Sequence, residues 1–286
     1  MAGHVDQSAH SWIETEVPQE GALANTAYDV RFTARMYIDH YVAQKGITVA
    51  DLNVAPLVVL SWAPGVVRRM AETVGAEPAS LWPWADRYPF LTGCVGSLRV
   101  SFVQVGIGAP ATIAAMEEMI AGGARAFLAL GWAGSLQPTA PIGTFLIPTS
   151  CLGEEGTSPH YIAKGVDVGP NKQLAEAVIA AAAHEGKEVV LGRHWTTDAP
   201  YRELTGKIEA YGRDGIVGVD METSAMYALG HVRDVAVCNL LVISDELWDA
   251  WTPAFRTPEL KAHTLQAERV VLRALEAIAA QGPRAA

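Results

Sequence analysis

The sequence predicts an α/β fold: a single domain with a central mixed β-sheet that is flanked by helices on both faces. Hydrophobic residues make up 50% of the 286-residue chain and charged residues only 18%, which is enough apolar material for one large core. Short, continuous apolar runs alternate along the chain with helical segments. Such runs are typical of strands that are buried on both faces of a sheet.

Residues 1–54 are predicted to form an N-terminal extension, and residues 55–286 the α/β domain. The extension is polar and mixed, but residues 27–47 have the spacing of an amphipathic helix. The side chains that define its predicted apolar face are Tyr28, Phe32, Met36, Tyr37 and Tyr41. We expect this helix to pack on the main body or on a neighbouring subunit.

Within the main domain, the elements follow one another in a regular order. Continuous apolar runs predict strands at 57–60, 98–105, 126–130, 144–149, 189–192, 217–220 and 237–243. Helices are predicted at 67–74, 111–121, 171–185, 223–229 and 258–280. Glycines at Gly75 and Gly122 end the first two of these helices.

Composition narrows the range of partners. A formal net charge of −10 argues against binding to nucleic acid or to an anionic membrane, both of which need a basic surface. No apolar run is long enough to span a bilayer, and the polar N-terminus lacks the pattern of a secretory signal. Cys94, Cys151 and Cys238 are scattered without metal-binding spacing, so we expect a reduced, cytoplasmic protein without a metal site.

The most informative segment runs from Gly218 to Tyr227, where an apolar strand gives way to a helix. While the chain is extended, Asp220 and Glu222 project the same way and form a good acceptor for two neighbouring hydroxyls, such as those of a ribose. Met221 between them can lie on the apolar face of the sugar. The alternative is a helix start where acids interact favourably with the helix dipole.

Four further segments lie at predicted strand ends, where ligands of α/β sheets bind. Gly106 and Gly108 stand before a helix with free N–H groups, although they also fit an ordinary tight turn. The other three are Gly131 to Pro138, Gly153 to Tyr161, and Trp195 to Glu203. By sequence alone, the first could also be a turn, the second a polar loop and the third a set of core aromatics.

Asp245 follows a strongly apolar strand, and a carboxyl group at such a position is costly unless it has a task or a partner. A desolvated acid of this kind suits general acid catalysis. The alternative is that Ser244 or Asp245 caps a helix through Leu247 and Trp248.

Together these segments resemble the nucleoside phosphorylase family, which includes purine nucleoside and uridine phosphorylases and related nucleosidases. The residues 220–222 resemble its D/E-M-E segment, Gly131 to Pro138 its G-T-x-G-(G/A)-(L/I)-x-P segment, and Ser244-Asp245 the S-D of its purine-cleaving members. The resemblance covers residues 56–280 and implies the nucleoside phosphorylase fold, with cleavage of an N-glycosidic bond through an oxocarbenium-like transition state.

The resemblance also implies residue roles, with neither a metal nor an organic cofactor. Asp220, Met221 and Glu222 would bind ribose, and Asp245 would give a proton to the purine N7, with Arg256 as a candidate to activate it. The residues implied for the base are Ala133, Gly134, Trp195, Asp198, Tyr201 and Ser244.

The phosphate site departs from the family pattern. The family's Arg before the G-T-x-G turn is Ala129 here, and its phosphate-contacting Thr is Trp132, which loses a charge-assisted contact and favours water as the acceptor. Gly65 and Arg69 keep the family's glycine-to-arginine spacing, but another register puts Trp62 and Val66 there.

Arg87 resembles an Arg that relatives lend to a neighbouring subunit. With Gly65, Arg69 and Trp132, it completes the implied phosphate set. Arg68, Arg69 and Arg87 could equally be solvated surface residues.

These observations predict phosphorolysis of a purine-type nucleoside, with inorganic phosphate as co-substrate, in a homo-oligomer that is a dimer or a trimer of dimers. Hydrolysis by a nucleosidase is the first alternative, and a non-catalytic nucleoside-binding protein is the second. A dinucleotide-binding enzyme is disfavoured because Gly106 and Gly108 lack the third glycine of G-x-G-x-x-G.

Overall fold

A computed structural model describes residues 30–63, 65–163 and 165–281. Tyr28 and the first part of the predicted extension lie outside the described residues. The strands are β1 (Leu57–Ser61), β2 (Glu77–Pro78), β3 (Phe90–Val95), β4 (Leu98–Gln104), β5 (Ala126–Ser135), β6 (Phe145–Glu154), β7 (Val189–Thr197), β8 (Ile216–Asp220), β9 (Ala236–Glu246) and β10 (Thr252–Pro253). The helices are α1 (Ala34–Lys45), α2 (Val66–Thr73), α3 (Ala109–Gly122), α4 (Lys172–His184), α5 (Thr205–Arg213), α6 (Thr223–Arg233) and α7 (Pro258–Ala280).

The described strands form one mixed sheet in the order β10-β9-β6-β7-β8-β5-β1-β4-β3-β2. Because β9 also pairs with β5, the strands β5, β9, β6, β7 and β8 close into a ring. Strands β4, β1, β5 and β9 run parallel, whereas β8 pairs antiparallel with the end of β5 and β6 pairs antiparallel with β9. The carboxyl ends of β5 and β8 therefore overlap, which is how the ring brings distant parts of the chain to one edge.

Helices cover the sheet on both faces, as the apolar pattern predicts. One core contains side chains of α2, α4 and α7, including Met70, Val178 and Val271. The other contains side chains of α1, α3 and α6, such as Ile38 and Met116. The predicted fold, a single α/β domain with a mixed sheet between helical layers, is confirmed. No helix among the described residues is long and apolar enough to cross a membrane.

Several strands extend beyond their predicted ends. Strand β5 continues through the segment Gly131 to Ser135, which the sequence suggests to be a turn, and β7 continues to Thr197. Strand β9 includes Ser244 and Asp245, so the alternative of a helix cap at these residues is wrong. The ring supplies strand partners for all three extensions, which composition alone cannot reveal.

The N-terminal helix is present but is rotated relative to the prediction. Thr33 caps α1 by accepting a hydrogen bond from the Met36 N–H at 3.2 Å. The buried residues of α1 are Ile38 and Val42, whereas Met36 and Phe32 are exposed. The polar composition of α1 hides which side faces α3, so the predicted apolar face is only partly correct.

Candidate active site

Three strands meet at the centre of the candidate site. In the paired register, Gly134 of β5 lies between Val219 of β8 and Asp245 of β9. Neighbouring strands are about 4.8 Å apart, so the backbones of Val219 and Asp245 are separated by roughly 10 Å. Strand β8, which leads to Glu222, and strand β9, which carries Asp245, therefore lie on opposite sides of β5 at Gly134.

Gly134 leaves little room for a side chain at this junction. A Cβ atom at Gly134 would lie 2.7 Å from Leu247 Cδ1 and 3.6 Å from Asp245 Oδ2. A larger residue here would press on the Leu247 side chain, so a glycine suits this position.

Glu222 is buried at the start of α6 and turns towards the first glycine-containing segment. Its Oε1 accepts a hydrogen bond of 2.6 Å from the Gly108 N–H, at the N-terminus of α3. Burial, and secondarily the charge of Asp220, raises the pKa of Glu222 to about 8. This carboxyl group stands where the dipole of α3 and a free backbone N–H favour an acceptor, and it can exchange its proton near neutral pH.

Asp220 is also buried, but its carboxylate turns into the protein. It accepts a 2.8 Å hydrogen bond from Thr196 Oγ1, and further ones from the N–H and hydroxyl of Thr223. His194 Nε2 lies 3.3 Å from Asp220 Oδ1. Although burial raises the pKa of Asp220, the charge of His194 and these hydrogen bonds outweigh it and lower that pKa.

The structure therefore does not pair Asp220 and Glu222 as the extended-chain argument expects. The strand ends at Asp220, and Glu222 has φ −138° and ψ −35°, so its side chain leaves in another direction. Met221 lies half-buried between them. Thr196 and Thr223 lie inside segments that the sequence singled out, but no role was predicted for them, and His194 lies outside any motif.

Asp245 has a polar partner at each of its two carboxyl oxygens. Ser244 Oγ lies 2.8 Å from Oδ1, and the Trp251 indole N–H donates to Oδ2 at 3.0 Å. Ser244 is also 3.2 Å from the carbonyl oxygen of Ala133, so the predicted base-site residues Ala133, Gly134 and Ser244 do surround Asp245. Asp245 itself is 8% exposed.

A second carboxyl group on this side was not predicted as a site residue. Burial raises the pKa of Glu203 to about 7, with a further contribution from the charge of Asp245. Glu203 ends the quoted segment from Trp195, so the available signal was an acid close to Tyr201. Asp198, in the same segment, raises the pKa of Glu222 slightly and accepts a 2.8 Å hydrogen bond from the Gly156 N–H.

Other predicted base-site and catalytic residues lie elsewhere. Trp195 is 1% exposed in a core cluster with Ile208 and Val219, so its ring faces the interior and not a pocket. Tyr201 is 99% exposed. Arg256 is exposed and has φ +64°. Within the described chain, the indole N–H of Trp251, and not Arg256, contacts Asp245.

The arginine of the predicted acceptor side is already paired with a carboxylate, which the sequence did not indicate. Gly65, with φ +78°, caps α2, and a Cβ atom there would lie 2.9 Å from Arg69 Nη1, so the predicted spacing does bring Gly65 and Arg69 together. Arg69 Nε, however, donates to Glu268 Oε2 of α7 at 3.0 Å, and Arg69 Nη2 donates to the same carboxylate. The guanidinium charge is thereby neutralised.

Two indoles lie near the ends of β1 and β5, on opposite faces of the sheet. Trp132 Nε1 donates to Thr264 Oγ1 of α7 at 3.1 Å, and Trp62 Nε1 donates to Thr112 Oγ1 of α3 at 2.8 Å. Arg87 is exposed, with its guanidinium 5.2 Å from the centre of the Tyr88 ring. No three His, Cys, Asp or Glu side chains in the described part of the chain are grouped so that they could hold a metal ion.

Comparisons with known proteins agree with this architecture. The sequence model of the phosphorylase superfamily matches residues 56–280. Guanosine phosphorylase of Halorubrum lacusprofundi is 24% identical over 200 residues, which cover 69% of this chain and 82% of that protein. Uridine phosphorylase of Treponema pallidum is 30% identical over 167 residues, which cover 54% of this chain and 65% of that protein.

Two further relatives extend the comparison to purine nucleoside phosphorylases. A DeoD-type enzyme of Bacillus thuringiensis is 27% identical over 161 residues, covering 55% of this chain and 68% of that protein. A crystal structure of purine nucleoside phosphorylase from Toxoplasma gondii in complex with immucillin-H superposes with a TM-score of 0.72 over 82% of this chain and 95% of that chain, at 23% identity. At this identity the superposition establishes the fold.

Proposed function

Because the chain belongs to the phosphorylase superfamily, we propose that it cleaves the N-glycosidic bond of a purine-type nucleoside by phosphorolysis, releasing the free base and ribose 1-phosphate. The observation that carries the proposal is the register in which Gly134 separates the Asp245 strand from the strand leading to Glu222. The strand that leads to the proposed sugar acceptor and the strand that carries the proposed acid are thereby two strand spacings apart, or roughly 10 Å.

Glu222 is the proposed sugar acceptor. It is buried, and its Oε1 accepts a hydrogen bond from the Gly108 N–H. Its pKa of about 8 keeps the carboxyl group mostly protonated at pH 7 before the nucleoside binds. The hydroxyls of a ribose would supply the polar partners that its environment lacks, and Met221 would contact the apolar face of the sugar. Asp220 supports this arrangement by holding the start of α6 through Thr223.

Asp245 is the proposed acid for the base. When the glycosidic bond breaks, the electron pair of the C–N bond goes to the base, and a proton from Asp245 to a ring nitrogen neutralises it. Ala133, Gly134 and Ser244 are proposed to border the base, with Asp198 and Glu203 on the segment that crosses from the sugar side to the base side.

Gly65, Arg69, Trp132 and Arg87 remain the proposed acceptor side. In a homo-oligomer, the exposed Arg87 would be free to reach the acceptor side of a neighbouring subunit, in addition to Arg69. We propose a cytoplasmic setting for the reaction, consistent with free thiols at Cys94, Cys151 and Cys238.

Hydrolysis is the second candidate, and one observation favours it. The Arg69 guanidinium is already paired with Glu268, and the family's phosphate-contacting Thr is replaced by Trp132, whose ring packs towards α7. An anion would have to displace a carboxylate from its guanidinium partner, whereas water would not.

A nucleoside panel with and without phosphate tests both proposals. Purine and pyrimidine nucleosides are incubated with the full-length protein, and ribose 1-phosphate and free ribose are quantified separately. Phosphorolysis predicts phosphate-dependent formation of ribose 1-phosphate, with purines preferred. Release of free ribose at the same rate in both conditions would establish hydrolysis, and no turnover of any nucleoside would contradict the enzymatic proposal.

A further inference from the structure

Trp251 is an exposed aromatic residue with a buried polar partner. Its side chain is 63% exposed, yet its indole N–H donates at 3.0 Å to Asp245 Oδ2, on a residue that is only 8% exposed. A large apolar ring left in water gains little from packing, so folding alone gives no reason for a tryptophan here. The hydrogen bond is the interaction that distinguishes it.

A short hairpin fixes this contact. Strand β10 pairs antiparallel with the end of β9, with Thr252 opposite Glu246 and Pro253 opposite Asp245. The turn between them returns the chain so that Trp251 stands beside the carboxyl group six residues earlier. Backbone pairing therefore holds the residue next to Asp245, within reach of its carboxyl group.

The chemistry of indole gives the contact a direction. Indole N–H can only donate, so Asp245 Oδ2 must offer a lone pair to it. The Ser244 hydroxyl beside Oδ1 can donate or accept, and it tolerates a proton on that oxygen. The two neighbours thus differ in a way that distinguishes the two oxygens of one carboxyl group.

We propose that Trp251 is a positioning residue for Asp245: it fixes the carboxyl rotamer and keeps Oδ2 as the acceptor, so that Oδ1 carries the proton for the leaving base. In the step, the Oδ1–H bond breaks, an N–H bond forms on the base, and the electron pair of the C–N bond goes to the base. Phosphate or water then combines with the sugar. This inference rests on the proposed function and assigns to Trp251 the part that the sequence suggested for Arg256.

The groups that face Asp245 come from three elements. Glu203 follows the turn Pro200–Arg202, Ser244 is on β9, and Trp251 precedes β10. The Glu246 side chain accepts from the Ile142 N–H at 3.0 Å and belongs to another contact. Among these neighbours, Trp251 is a donor whose removal leaves the charge of the site unchanged.

The test compares Trp251→Phe with Trp248→Phe. The first substitution keeps an aromatic ring and removes the N–H, whereas the second changes a neighbouring exposed tryptophan that makes no hydrogen bond to Asp245 within the described residues. Each variant is assayed with guanosine or inosine and with 7-methylguanosine. The alkylated base of 7-methylguanosine already carries positive charge and leaves without a proton from the protein.

We expect Trp251→Phe to lower kcat for the unmodified nucleosides about tenfold, the effect of one hydrogen bond, with KM changed much less. Turnover of 7-methylguanosine should stay near the wild-type value, and Trp248→Phe should resemble wild type with every substrate. Equal losses with all substrates would indicate a merely structural effect and would overturn the proposal, as would unchanged turnover of guanosine and inosine.

A second measurement does not require turnover. In indole ¹⁵N–¹H spectra, the Trp251 resonance is assigned by its loss in Trp251→Phe, and in Asp245→Ala it should move towards the position of a free indole and exchange faster with solvent. A resonance that does not respond to Asp245→Ala would overturn the contact. If the wild-type protein cleaves no nucleoside, the proposed function fails and this inference with it; if it does and Trp251→Phe behaves as wild type, this inference alone fails.

Discussion

The two sides of the candidate site differ in how their ionisable groups are paired. On the sugar and base side, the carboxyl groups of Glu222, Glu203 and Asp245 are buried or half-buried, and Glu222 and Glu203 have pKa values raised to about 8 and 7. On the acceptor side, Arg69 is held by Glu268, a carboxylate from α7. Among the described residues, the carboxyl groups of one side have no ion-pair partner, whereas the cation of the other side is paired within the fold.

This difference separates the two parts of the reaction. Groups with raised pKa values in a desolvated site are typical of proton transfer and of binding polar substrate groups. A paired arginine is typical of structure, and it binds an anion only at the cost of its existing partner. In the proposed mechanism, cleavage of the glycosidic bond thus depends on Glu222 and Asp245, whereas the identity of the acceptor depends on how firmly Glu268 holds Arg69.

The largest effect is expected on the sugar side. Glu222→Ala should lower kcat/KM about a thousandfold, since two buried ribose hydroxyls would each be left without an acceptor, at a cost of about 2 kcal/mol each. Steady-state kinetics with one purine nucleoside measures this. Glu222→Gln keeps an acceptor and should lose much less, and an equal loss in both variants would show that charge, and not acceptance of the sugar hydroxyls, is what matters.

The base side should show the next largest effect. Asp245→Asn should reduce kcat about a hundredfold with little change in KM, because general acid catalysis contributes roughly 10² to 10⁴. The comparison substrate is 7-methylguanosine, whose turnover should be nearly unaffected. Unchanged turnover of guanosine and inosine would show that Asp245 is not the acid.

The acceptor side can be altered directly. Glu268→Gln removes the charge that neutralises Arg69, so the KM for phosphate should fall by about tenfold, or 1.4 kcal/mol. Arg69→Gln is the matched control and should raise that KM or leave the reaction independent of phosphate. If Glu268→Gln leaves the phosphate dependence as it was, Arg69 does not contribute to an anion site.

The smallest effect is on stability as a function of pH. The pKa of Glu222 in the folded protein, about 8, exceeds its ordinary value of 4.5. Its contribution is therefore fully present below about pH 4.5 and is lost as the pH rises through 8. Glutamine does not titrate, so relative to wild type the Tm of Glu222→Gln should be higher by a few °C at pH 9 than at pH 5, where about 1 kcal/mol corresponds to roughly 2–4 °C.

Melting curves of the two proteins at both pH values measure this difference. The other acids, such as Glu203, titrate in both proteins and cancel in the comparison. A difference in Tm that is the same at pH 5 and pH 9 would mean that the carboxyl group of Glu222 is as well solvated in the folded protein as in the unfolded chain.

Much of the fold followed from local patterns. Apolar runs located β1, β4, β8 and the core of β9, because a strand buried on both faces must be apolar throughout. Strand β3 and helix α5 were missed: β3 alternates in burial and contains Gly93, and α5 buries only Ile208. Such short, half-exposed elements depend on tertiary partners more than on their own composition.

The sequence by itself determined the order of most elements, the motif residues of the segments around the carboxyl ends of β5, β8 and β9, and the family to which residues 56–280 belong. These are properties of contiguous segments, in which apolar periodicity and short motifs can be read directly. Only the tertiary structure decided which side chains face one another. It turned Asp220 towards His194 and Thr223, buried Trp195 in the core and put Trp251 against Asp245. The clearest case is the pair of Arg69 and Glu268, which are 199 positions apart. Their contact forms when α7 packs against α2, and no local pattern records that packing.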